Sequence, residues 1–202
     1  MADYEYKISI QLKGSQHIRH EEILEEAVWI DKAKKDLKHF GFLYDKYFER
    51  IFGYIYRRAE NAEMAADLTS QVFMKAMEQI RRYEFRGLPF SAWLYKIAGN
   101  EVSKYYNEKK KHMVINIEQE EVLRIFESGE EDDREIQIKL LMKTLKRLTL
   151  QEIYVLELRF MEEKNFKEIA FILEISESGA KMKTYRALER LKQLFTYCLK
   201  EI

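Results

Sequence analysis

One proline and seven glycines are the only strong chain breakers among 202 residues. So few turn residues leave little room for a β-rich fold, which needs them at short intervals, and favour long uninterrupted helices. The apolar pattern agrees. Ile23, Ala27, Ile30 and Leu37 fall at helical spacing, and a second run holds Phe42, Leu43, Tyr47, Ile51, Tyr54 and Ile55. A third holds Ala66, Leu68, Val72, Phe73, Ala76, Met77 and Ile80. After Gly87, Leu88 and Pro89 comes a fourth, with Phe90, Trp93, Leu94, Ile97, Ala98 and Val102; Ser91 lies near its start. Helices with apolar faces must bury them against one another, which predicts one bundle over residues 23–111.

Residues 112–138 read as a linker. They carry the acidic run Glu130, Glu131, Asp132 and Asp133 beside Ser128 and Gly129, with scattered apolar residues and room for a short helix near 120–126. Residues 139–202 return to helical spacing, with Leu141, Leu145 and Leu148 continuing a stripe that starts at Ile138 on the linker's edge. Thr149 with Glu152 three positions on forms a capping box for the next helix. The expected fold is all-α, two small helical domains joined by an acidic linker. Residues 1–22 are an arm in which Tyr4, Tyr6, Ile8, Ile10 and Leu12 alternate with polar residues. That period of two reads as a loose arm or as an edge strand for a partner.

Charge excludes little by itself, because 35 basic residues balance 35 acidic ones. The charges are segregated, with Lys109, Lys110 and Lys111 in one run and mostly basic residues from 181 to 192. No apolar run approaches the roughly 18–20 residues that span a bilayer, so no membrane insertion is expected. The first residues lack a basic start and apolar stretch, which predicts no signal peptide and a cytoplasmic location. A single cysteine, Cys198, rules out an internal disulfide. His17, His20 and Glu21 could share a helical face, but a solvated helix start explains them as well. With no Gly-rich phosphate loop, no nucleophile beside a base and no metal-spaced cluster, neither an enzyme, a cofactor nor a metal is expected.

The strongest local pattern spans residues 165–191. A short helix carries Phe166, Ile169, Ala170 and Leu173 on one face, with Ala170 small where two helices cross. Ile175 anchors a turn, and Ser176 or Ser178 can cap the helix that follows. That helix buries Ala180, Ala187, Leu188 and Leu191 and exposes Lys181, Lys183, Tyr185, Arg186 and Arg190. Spacing, caps and basic face together describe a helix-turn-helix, whose second helix reads base edges in the major groove while its flanks neutralise phosphates. A second pattern, residues 81–111, interleaves basic residues with Tyr83, Phe85, Phe90, Trp93, Tyr95, Tyr105 and Tyr106. Cations follow a backbone and aromatic faces stack on unpaired bases, as an opened duplex requires. Trp93, Leu94 and Ile97 are expected to be mainly structural.

These segments, in this order, resemble the extracytoplasmic-function group of bacterial sigma factors over about residues 23–195. Residues 66–76 look like the family's polymerase-binding helix, 92–100 like its DNA-melting and −10-reading helix, and 166–191 like its −35 reader. The resemblance implies that Asp67, Leu68, Gln71 and Phe73 dock on the β′ clamp helices of core RNA polymerase. It implies that Phe85, Arg86, Asn100 and Lys104 meet the −10 element. It implies that Ser178, Lys181, Met182, Lys183, Tyr185, Arg186 and Arg190 meet the −35 element, Lys183 and Arg190 through phosphates. Promoter DNA, the polymerase β flap and an anti-sigma protein are the further partners so implied. Gly179, Met182 and Thr184 depart from the family pattern, and Gly179 should cost near 1 kcal/mol if it is helix-interior. The competing reading is a helix-turn-helix regulator that never joins the polymerase, which would have no use for residues 66–76. An intramolecular clamp, with the acidic linker drawing the two basic faces together, is a further expectation.

Overall fold

The computed structural model describes residues 20–109, 113, 115–117 and 131–200. The alternating arm and the short helix expected near 120–126 lie outside them. Eight α-helices make up the described chain, with no strand among the described residues. The first four are α1 (His20–Lys35), α2 (Phe40–Tyr56), α3 (Ala62–Gln79) and α4 (Phe90–Lys109). The second four are α5 (Glu131–Leu145), α6 (Leu150–Phe160), α7 (Phe166–Leu173) and α8 (Glu177–Leu199). Helix α5 begins inside the stretch assigned to the linker. Its first three residues, Glu131, Asp132 and Asp133, belong to the acidic run.

Local chemistry explains where the helices begin. Asn61 caps α3 by accepting from the Met64 N–H at 2.8 Å. The Thr149 and Glu152 capping box starts α6 as expected, and a second box, Asn165 with Glu168, starts α7. Ser176, rather than Ser178, caps α8 through the Gly179 N–H at 3.1 Å. Helix α4 begins in another way. Glu26 of α1, fully buried, accepts from the Phe90 N–H at 2.9 Å and from the Tyr47 hydroxyl, and Lys46 lies 2.7 Å from the same carboxylate. One charged side chain therefore fastens α1, α2 and the start of α4.

Around that carboxylate packs an aromatic core: Phe40, Tyr47, Tyr54, Phe90 and Tyr95 are all within 2% of complete burial. Two residues of the expected stripes point outward. Leu37 is exposed, and Phe42 instead stacks on Trp29 at 4.5 Å between centroids. The apolar cluster continues from this bundle into α6, α7 and α8 without a break.

Candidate nucleic-acid interface

Helices α7 and α8 form the helix-turn-helix. Glu174 ends α7 in the left-handed conformation (φ 55°), which reverses the chain at once. Ala180, Thr184 and Ala187 are buried against α7, and the Thr184 hydroxyl donates to the Ala180 carbonyl at 2.9 Å, so this departure from the family pattern is a packing residue. At about 100° per residue the opposite face holds Ser178, Lys181, Met182, Tyr185 and Arg186, all exposed. Lys183 and Arg190 flank that stripe on one side, where a groove wall would lie. Glu189, not singled out from the sequence, lies on the stripe too, and adds an acceptor to a row of donors.

The second candidate surface is α4 with the loop before it. Asn100 and Lys104 are exposed and one turn apart on α4. Phe85 (40% exposed) and Arg86 sit in the loop, and Gly87 takes a positive φ of 67° there. The rise of the helix separates Asn100 from its first residue, Phe90, by about 15 Å. Most of the aromatics in this segment are not stacking platforms. Tyr83, Phe90, Tyr95 and Tyr106 are buried, while Trp93 is half-buried between Tyr83 (4.7 Å) and Phe90 (5.3 Å). Phe85 alone among them is exposed, so cations rather than rings dominate the open face.

On α3 the four residues implied for the polymerase divide. Asp67 and Gln71 are exposed. Leu68 and Phe73 are 3% and 2% exposed, and Phe73 packs edge-on to Phe40 and against Tyr44. They hold α3 to α2, and little of either side chain is open to a partner. The open surface is instead Asp67, Ser70, Gln71 and Met74, which is 59% exposed, beside a ladder of Tyr44, Phe48, Phe52 and Tyr56 on α2. Spacing could have found Met74, since Leu68, Val72 and Phe73 share the core stripe and Asp67, Gln71 and Met74 oppose it.

A third feature is a contact between the two halves, made by residues other than the linker acids of the expected clamp. The two halves meet through buried charge. Arg57 Nε donates to Glu157 at 2.6 Å, and Arg57 also pairs with Glu162. Arg58 forks onto the same Glu157, lies over the Tyr54 ring at 3.8 Å, and donates to the Tyr54 carbonyl. The Tyr95 hydroxyl donates to Glu162, and Lys164 Nζ donates to Ser91 Oγ at 3.0 Å. Burial pushes the Glu162 carboxyl above its usual range and the Lys164 ammonium below its own.

The family profile Sigma-70 region 2 matches residues 43–112, and Sigma-70, region 4 matches residues 144–193. RNA polymerase sigma factor YlaC of Bacillus subtilis is 32% identical over 158 residues, which cover 76% of this chain and 90% of YlaC. The chain belongs to the sigma-70 family. Within that family it is of the extracytoplasmic-function type, with regions 2 and 4. The extracytoplasmic-function sigma factor BldN of Streptomyces coelicolor is 29% identical over 77% of this chain, which spans 60% of BldN. Among solved structures, the sigma factor RpoE of Bartonella quintana, in complex with the anti-sigma factor NepR, has the same fold. It matches with a TM-score of 0.56 at 19% identity over 79% of this chain and 98% of RpoE.

A sigma factor is a non-catalytic factor for transcription initiation by RNA polymerase. Both modules of this sigma factor match, which decides against a regulator that carries only the helix-turn-helix. Its first module, α1 to α4, contains region 2, and its second, α5 to α8, contains region 4. No helix among the described residues is long and apolar enough to cross a membrane.

Proposed function

We propose that the exposed face of α8 reads the −35 element through Ser178, Lys181, Met182, Tyr185 and Arg186, with Lys183 and Arg190 on phosphates. The observation that carries this reading is that all seven side chains are exposed while the opposite face of the same helix is packed on α7. The −10 element is met by Asn100 and Lys104 on α4 and by Phe85 and Arg86 in the loop before it. Phe85, the one exposed ring there, is the group to fill the gap left by an unstacked base. On the polymerase side, Asp67, Gln71 and Met74 form the face for the β′ clamp helices, and the second module meets the β flap. The work is done in the cytoplasm, with an anti-sigma protein as regulator, as NepR is for RpoE.

In vitro transcription with core polymerase, followed by footprinting, tests the assignment. Lys181→Ala or Arg186→Ala should relax preference at the upstream element, by about 1–3 kcal/mol for a lost bidentate base contact. Arg190→Ala should weaken binding evenly across sequences and reduce the salt slope by about one. An unchanged footprint in both classes would remove the −35 assignment.

A further inference from the structure

We propose that this sigma factor latches itself shut, with Arg57 and Arg58 of the first module gripping Glu157 and Glu162 of the second, and that release of this latch gates promoter engagement. The inference rests on the promoter reading above, because only a protein that must bridge two separated elements is inhibited by being compact.

The contact joins residues 100 positions apart in the chain. Two cations at the end of α2 face two carboxylates on and just beyond α6. Glu157 is 1% exposed and Arg58 is 2% exposed, so neither charge is solvated while the modules touch. Each regains water when they part. The seam is mixed: an apolar cluster runs across it, and the charges buried within it regain hydration on opening, which offsets part of the cost of exposing that apolar surface. Neighbouring bonds fix the backbone that carries the two arginines. The Asn116 N–H donates to the Arg57 carbonyl at 2.7 Å, and the Tyr106 hydroxyl donates to the Arg58 carbonyl at 2.6 Å.

The seam also occupies part of the −10 surface. Lys96 of α4 is paired at 2.6 Å with Glu174, in the turn of the helix-turn-helix, and both Lys96 and Arg86 lie over the Phe171 ring. Gly99 supplies an independent argument. A glycine in the interior of α4 weakens that helix by about the propensity gap to alanine. The first module leaves room for a side chain there, since the Tyr54 oxygen is 3.5 Å from a Cβ built on Gly99. The second module does not: the Tyr154 oxygen is 2.9 Å from it. In the closed form a side chain at this position would have to displace the end of Tyr154.

Scale makes the closed form unproductive. Elements some 25 base pairs apart are separated by roughly 85 Å at about 3.4 Å per pair. A compact chain of this length has a radius of gyration near 16–17 Å, hence a span of roughly 45 Å. One closed molecule cannot hold both elements.

Small-angle scattering on the full chain, paired with stopped-flow binding to core polymerase, tests the latch. The wild type should scatter as one compact body. Gly99→Ala and Glu157→Gln should both expand it, with helicity by circular dichroism unchanged. Both should bind core faster, by about tenfold if opening is what limits the competent fraction. Adding Tyr154→Phe to Gly99→Ala removes the clashing oxygen and should restore the compact form, which a general loss of stability would not. A wild type that already scatters as two tethered bodies overturns the proposal. So does compactness untouched by either variant, or an expanded double variant. Transcription from a two-element promoter is read in parallel: if it proceeds while the latch tests fail, the promoter reading stands and the latch alone falls.

Discussion

The two modules of this sigma factor solve the same packing problem with different side chains. The first fills its centre with rings: Phe40, Tyr47, Tyr54, Phe90 and Tyr95 are all essentially inaccessible. In the second, Tyr154, Phe160, Phe166 and Phe171 are half-buried and Tyr185 and Tyr197 exposed, while its centre is made of Leu158, Ile169, Ala180 and Ala187. Two of its half-buried rings face the first module, Tyr154 towards Tyr54 and Phe171 under Lys96 and Arg86. A thin core built on small residues lets α7 and α8 cross closely, as a groove reader needs. It also makes the second module lean on its helix caps and on contacts with its neighbour.

Alkali should break this symmetry most. Burial raises the hydroxyl pKa of Tyr47, Tyr54, Tyr83 and Tyr95 in the first module, Tyr83 to about 12. A folded pKa above the unfolded value of about 10 means stability is intact below pH 10 and is lost as pH rises towards the folded value. By pH 11 each such tyrosine should remove on the order of 1 kcal/mol, and the four together several. Only Tyr154 among the shifted tyrosines belongs to the second module. Tyrosinate absorbance followed beside helicity should therefore show the first module failing cooperatively. Gradual ionisation without loss of helix would count against a ring-filled core. Truncating one ring is the next largest effect. Phe90→Ala removes contacts to Phe40, Tyr47, Tyr83 and Trp93 and should destabilise by about 3–5 kcal/mol in denaturant unfolding.

The helices, the two modules and the exposed basic face of α8 were legible because each rests on spacing within one segment. Thr149 with Glu152 announces a helix start within four residues, and the basic stripe of α8 repeats within three turns. What sequence reading missed was non-local. Nothing near Glu157 says that Arg57 and Arg58 will meet it, and nothing near Phe90 says that Glu26 will cap α4. Leu68 and Phe73 were a different failure. Family position assigned them to the polymerase although their own helical period, shared with Val72 and Ala76, puts them in the core. Among the rings of residues 81–109, Trp93 is structural as expected, since aromatics at helical spacing serve packing before they serve bases.

Capping should matter more in the second module, and it gives the next smaller effect. Thr149→Ala and Asn165→Ala each dissolve a reciprocal pair and should cost about 1 kcal/mol. Asn61→Ala removes a cap of the same strength from α3, but a smaller share of its module's stability. Equal shifts in melting temperature from all three would argue that the modules unfold as one unit, with the latch coupling them.

The smallest effect is at Gly179. A glycine inside a helix weakens it by about 1 kcal/mol relative to alanine, so Gly179→Ala would be expected to stabilise α8 if the site were interior. It lies instead in the first turn, where its N–H donates to the capping Ser176 hydroxyl at 3.1 Å. A Cβ there would stand 3.1 Å from that same oxygen, close enough that the hydroxyl must give way by a few tenths of an ångström. The gain in propensity and the strain on the cap oppose each other, and each is of order 1 kcal/mol or less. Gly179→Ala should therefore move stability by less than about 0.5 kcal/mol in chemical denaturation. A clear gain would mean that the cap yields without penalty and that glycine is kept for the approach of α8 to DNA, which the footprint of the same variant would then reveal.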